Sequence, residues 1–229
     1  MLLTQPNATP NDRLLEAALL HVPFDGWTDA TFDAAVQDSG VDPVVARALC
    51  PRRGLDLALA YHARGDSLML ERLRATDLET LRFRDRIALA VRFRLEAVDD
   101  KEAVRRGSTL FSLPMNAPEG ARAIWNTCDL IWTELGDSSD DVNWYTKRAS
   151  LSAVYSATVL FWLGDDSLDH QATWDFLDRR IDDVMQFEKL KASARANPLL
   201  KPLLAGPEWL ASQIKAPKPR DDLPGASGS

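Results

Sequence analysis

Histidine and cysteine are scarce in this chain of 229 residues. Its three histidines, His21, His62 and His170, stand far apart, and none follows a glutamate by three residues. That excludes the Glu-x-x-His ligand pairs of helical di-iron bundles. The two cysteines, Cys50 and Cys128, form no CxxC pair and read as buried thiols of a reducing compartment. No GxGxxG, P-loop or GxSxG occurs, so the phosphate cradles and nucleophile elbows of common enzyme classes are missing. No nucleophile–base pair can be picked out, and neither a cofactor nor a metal is expected. Asp165, Asp166 and Asp169 stand together, but acids before a helix more often cap it than hold an ion.

Long hydrophobic runs are lacking too. The longest uncharged stretch, residues 149–164, falls short of the roughly 20 apolar residues of a membrane helix. The N-terminal residues show neither a basic region before an apolar one nor an Arg-rich, acid-poor composition, so a cytoplasmic location is expected. Positive charge is in deficit: the formal net charge is −7, against general affinity for nucleic acid. With 45% apolar residues, the length suits one domain with a full core.

Convincing alternating strands are absent, and helical periods fill the chain, which predicts an all-α fold. Helices are expected at 12–21 with Asn11 or Asp12 as cap, at 29–39 closed by Gly40, and from Asp42-Pro43. Longer ones follow at 53–73, 77–98, 100–113, 118–135, 143–163 and 169–190. The short helices have helix-turn-helix spacing, making 12–52 an N-terminal unit and 53–190 a larger bundle. The would-be reading helix, PVVARALC, offers a single arginine and almost nothing to bond base edges. The motif therefore reads as architecture without DNA binding. Arg72, Arg74, Arg82, Arg84, Arg86, Arg92 and Arg94 form a basic stripe, read as a solvated face with Glu79 and Asp85 as partners; anionic lipid headgroups are the minority reading.

The richest region is aromatic. Helix 118–135 carries Trp125, Cys128 and Trp132, and helix 143–163 carries Leu151, Tyr155, Thr158, Val159 and Trp162, with small uncharged residues between. Such a face is either plain core or the lining of an apolar ligand cavity.

The ordered set "FRDRIALAVRFRLE", "STLFSLPMNAPEGARAIWNTCDLIWTELGD", "NWYTKRASLSAVYSATVLFWLGDDS" and "TWDFLDRRIDDV" resembles the ubiquinone-biosynthesis accessory protein family, the ninth member of the coenzyme Q series, in a bacterial form. The resemblance covers roughly residues 12–190. It implies a TetR-repressor-like fold without DNA binding, and a non-enzymatic protein with a lipid cavity in its C-terminal helices, lined by the eight residues just named. The ligand would be an isoprenoid lipid or ubiquinone precursor, presented to a late-pathway hydroxylase. The patch for that partner would fall on Trp174 with Asp175, Asp178 and Arg179, beside Phe161 and Leu163. A homodimer through the C-terminal helices is implied as well.

The family's membrane-touching helix would correspond to 198–215, where Leu199, Leu200, Leu203, Leu204, Trp209 and Leu210 are apolar. That suits a peripheral protein on the inner face of a bacterial membrane. Pro202 and Pro207 interrupt the segment, so packing over the cavity mouth is the alternative. Residues 217–229 have the composition of a disordered tail. The rival readings are a ligand-responsive TetR-type transcription regulator, which salt-dependent DNA binding would reveal, and an enzyme, which turnover would reveal.

Overall fold

Residues 8–98, 100–196 and 215–217 are described by a computed structural model, with side chains described up to residue 187 and at 215–217. They form ten α-helices and no strand. Helix α1 (Pro10–Leu19) starts two residues earlier than the sequence suggested. Its cap is Thr9, not Asn11 or Asp12, because Pro10 fits the first helical position and Asp12 completes a reciprocal capping box. The Thr9 hydroxyl accepts from the Asp12 backbone N–H at 3.2 Å, and the Asp12 carboxylate accepts from that of Thr9 at 3.0 Å.

Between the first two expected helices, a four-residue helix α2 (Val22–Asp25) closes on Gly26. Helix α3 (Asp29–Ser39) ends on Gly40, whose φ of 63° is a left-handed value that glycine adopts without strain. Asp42 caps α4 (Pro43–Leu49) by accepting from Val44 and Val45. These four helices enclose a small core around Leu14, Phe32 and Leu57, the last contributed by α5 (Gly54–Arg74).

Helix α6 (Phe83–Glu96) starts later than the periodicity indicated. The Asp77 carboxylate accepts from the Glu79 N–H, holding 77–82 in local turns that compete with helix. Then come α7 (Lys101–Ser112), α8 (Ala117–Glu134) and α9 (Val142–Leu163). A single 3₁₀ turn (Leu168–His170) leads into α10 (Gln171–Ala196). The second core joins α5, α6, α8, α9 and α10 through residues such as Met69, Val91, Ile131, Leu151 and Leu177. Helix α7 lies between the two units, and the Trp27 indole donates to the Ala103 carbonyl at 3.0 Å. Of the C-terminal segment 198–215 only Lys215 is among the described residues, and of the tail 217–229 only Pro217.

The basic stripe is largely paired. Arg72 reaches Glu96, Arg74 grips Glu134, Arg82 pairs with Asp85, and Arg84 reaches Asp182 on α10. Arg86 spends its donors on the carbonyls of Leu81 and Glu79. Arg94 departs from the solvated-face reading altogether: it is 4% exposed.

Candidate functional site: an apolar cavity with a polar floor

A cavity of about 370 Å³ opens between α5, α6, α7, α8 and α9, with Trp27 on its edge. That is within the range of roughly 300–1,000 Å³ of small-molecule pockets. Helix α7 supplies one wall from Ala103, Val104, Gly107, Ser108 and Phe111, and α9 the opposite wall from Tyr155, Ser156, Val159, Leu160 and Trp162. Small residues at Gly107 and Ser108 leave room that Leu or Phe would have filled.

Of the eight residues expected to line a lipid site, Tyr155, Val159 and Trp162 line this cavity. The structure places the others elsewhere. Cys128, Leu151 and Thr158 are packed into the solid core, where α8 and α9 meet face to face. Burial pushes the Cys128 thiol up to about 12, which makes it inert. Trp125 turns away toward Trp144 and Tyr145, with ring centroids 5.8 and 6.4 Å off. Trp132 packs against Phe83 and under the Lys147 ammonium. Helical periodicity reports which residues face inward, but a wall and a core position share the same stripe.

The sequence reading missed the floor. His62, Asp66, Arg94 and Thr127 form one buried cluster from α5, α6 and α8. The Arg94 guanidinium donates to Asp66 at 2.6 Å and to the His62 carbonyl at 2.9 Å. The Thr127 hydroxyl donates to the same Asp66 oxygen at 2.9 Å and lies 2.8 Å from His62 Nε2. Burial, helped by the Arg94 charge, drives the His62 imidazole down to about 4. Burial works against the Arg94 charge, but the paired Asp66 carboxylate outweighs it, and the guanidinium stays protonated. Gly65 was a signal in plain sight: a Cβ there would come within 2.6 Å of Arg94 Cζ. Glycine inside a helix costs about 1 kcal/mol against alanine, so it asks for such a reason.

The expected partner patch is split by burial. Trp174 is 8% exposed, its indole donating to the Asp169 carbonyl at 2.8 Å and Arg92 lying 4.9 Å from its ring centre. Asp175, Asp178 and Arg179 are exposed beside it, and Asp178 lies 3.6 Å from Arg84. Phe161 stacks on Phe176 at 4.5 Å, and Leu163 is half-buried. Asp165 caps the start of the next helix: its carboxylate accepts from the Thr173 hydroxyl, the Thr173 N–H and the Ser167 N–H, which hold it well below the usual carboxylate range. No cluster of histidine, cysteine and acids able to hold a metal exists among the described residues. Nor is any described helix long and apolar enough to cross a membrane. Leu199, Leu200, Leu203, Leu204, Trp209 and Leu210 lie outside the described residues.

The backbone resembles a TetR transcriptional regulator from Nitrosomonas europaea, with a TM-score of 0.62 over 75% of this chain and 95% of that one. At 18% identity this likeness concerns the fold, which is TetR-like. In sequence the chain is 30% identical over 188 residues to the probable mitochondrial ubiquinone biosynthesis protein coq9 of Dictyostelium discoideum, covering 78% of this chain and 61% of that protein. It is 32% identical to the mitochondrial COQ9 of Drosophila melanogaster, with 78% and 56% covered, and 30% identical to human COQ9, with 76% and 57% covered. The chain thus spans about six-tenths of the length of these curated relatives. The COQ9 family model matches residues 117–188, the stretch from α8 into α10 that supplies the Tyr155 wall. Residues 117–188 are thus a COQ9 family domain, and the chain around them is related to the COQ9 ubiquinone biosynthesis proteins.

Proposed function

We propose that this protein is a non-enzymatic lipid-binding accessory of ubiquinone biosynthesis. It takes up an isoprenoid quinone intermediate and presents it to a late-pathway hydroxylase at the inner face of a bacterial membrane. The observation that carries the reading is the cavity of about 370 Å³ walled partly by the COQ9 domain itself. Its walls are mainly apolar and aromatic, which suits an oily ligand. The pathway is that of the relatives, which are ubiquinone biosynthesis proteins. Membrane association is supported by the apolar, lysine-bearing composition of 198–215. Met185 and Phe187 are exposed on α10, which supports a homodimer through the C-terminal helices. The regulator alternative is weakened by α4, whose outward face presents Val44, Val45 and Leu49 and, of base-reading side chains, Arg47 alone.

Native mass spectrometry of protein purified without detergent, with extraction and identification of the released lipid, tests this. The expected result is a bound isoprenoid quinone or precursor. A lipid-free protein that also fails to take up decylubiquinone overturns the reading.

A further inference from the structure

The cavity has two unlike ends. At one, Leu160 is 67% exposed and Ser112 and Ala121 face solvent, so this end is the mouth. At the other lie Arg94 and Tyr155, each 4% exposed, with His62 beside them. Arg94 has five N–H donors. One is matched to Asp66 and one to the His62 carbonyl, and the rest have no partner among the described residues. The Tyr155 hydroxyl has none either, although the ring is buried and lines the cavity. A buried polar group without a partner costs about 1–3 kcal/mol, so one awaiting a ligand has a reason to exist.

The charges narrow the ligand. Arg94 and Asp66 cancel, and His62 is uncharged at neutral pH because burial holds it near 4. Burial also lifts the Tyr155 phenol to about 12, so it keeps its proton and serves as a donor. The floor is therefore neutral overall and offers donors. An anionic head, such as a diphosphate or a phospholipid phosphate, would bring a charge into a pocket whose one cation is already paired.

We propose that the cavity takes its ligand head first: a neutral ring bearing acceptor oxygens, as in a prenylated quinone, sits on Tyr155 and Arg94 while the prenyl tail leaves past Leu160. This rests on the lipid-binding reading above and assigns it a direction and a recognition site. At about 370 Å³ the space holds a ring and the first part of a tail, and a long tail runs out through the mouth. With the tail at the exit the reactive ring lies innermost, so presentation to a partner enzyme requires the ligand to slide out tail first or the mouth to open.

Calorimetric titration with three probes tests the assignment on the full chain. Decylubiquinone carries the oxygen-bearing ring, decylbenzene the same tail on a bare ring, and farnesyl diphosphate an anionic head. Decylubiquinone is expected to bind at least about tenfold more tightly than either, as sites built for polar groups reject analogues lacking them. Tyr155→Phe is expected to weaken decylubiquinone about 2- to 10-fold, the worth of one hydrogen bond, and to leave decylbenzene unchanged. Equal affinity for the quinone and decylbenzene overturns the head-first assignment while leaving lipid binding intact. So does a Tyr155→Phe loss shared by both probes, which marks a packing effect. Tighter binding of farnesyl diphosphate overturns the neutral head. Failure of all three probes removes this assignment and the lipid reading together.

Discussion

Filling the cavity with the protein's own side chain separates an empty space from a packed core. Ser156 lines the cavity from α9, and its hydroxyl has no partner among the described residues. Ser156→Phe therefore puts a ring into existing room and abandons no hydrogen bond. Fully burying a phenylalanine is worth about 1.5–3 kcal/mol. Forcing extra carbons into a filled core costs about 1–3 kcal/mol. With about 370 Å³ available, the gain wins. The expected net stabilisation of the ligand-free variant is about 1–2 kcal/mol, or roughly 2–8 °C in Tm for a chain of this size. The wild type should instead gain from ligand: about 2.7 kcal/mol at a free concentration of 100 Kd, by mass action. Thermal unfolding followed by far-ultraviolet circular dichroism, with and without decylubiquinone, reads both numbers. The variant should start higher and no longer respond to the ligand. A variant that is destabilised by more than about 1 kcal/mol would show that the space is already occupied by the protein. An undiminished response to ligand would place the binding site elsewhere.

Asp66→Asn should cost about 3–5 kcal/mol in urea unfolding, because it leaves Arg94 charged and unpaired in the interior; a loss below 1 kcal/mol would contradict the buried pair. His62 gives a pH signature. Its folded value near 4 lies below the ordinary 6.5, so the unfolded chain takes up the proton first as pH falls. The contribution is complete above pH 6.5 and lost toward pH 4, about 3 kcal/mol in all, and His62→Asn should flatten that part of the profile. Trp174→Lys should lose about 3–5 kcal/mol, since it removes a buried aromatic ring. Leu168→Lys, at a residue 86% exposed, should stay within about 0.5 kcal/mol and is the cleaner probe of a docking surface. Equal stability of the two variants would refute the burial of Trp174.

The helices were legible because their punctuation is chemical and local. Asp42-Pro43 and Gly40 act through their own backbone geometry, and both boundaries fall where the residues put them. The misplaced boundaries are also local in origin. Thr9 lies two residues ahead of the expected caps, and the sequence offers three cap-competent residues within four positions there. At 77–82, a stretch with two leucines, two acids and an arginine keeps helical composition, while one Asp77 hydrogen bond decides for turns. The helix-turn-helix unit followed from short helices ahead of long ones, and the TetR-like fold from the family resemblance. Trp174 illustrates the opposite limit. Tryptophan is favoured both at interfaces and in cores, and only the Asp169 carbonyl and the Arg92 guanidinium show which it is here.

The cavity was illegible for a deeper reason. Amphipathic pattern states which side chains leave water, whereas a void is a property of how five helices fail to close on one another. Leu151 and Val159 look alike in sequence, yet one contacts packed side chains and the other faces empty space. Arg94 was hidden by the opposite error, since an arginine among the six others of the basic stripe reads as solvated. What distinguishes it is the partner at Asp66 and the missing side chain at Gly65, one turn of α5 that makes sense only with α6 lying across it. An apolar core would have been as stable without this pair, because replacing buried ion pairs with hydrophobic residues is often neutral or favourable. Its presence at the floor of a cavity, with donors left over, is better explained by something that enters than by folding.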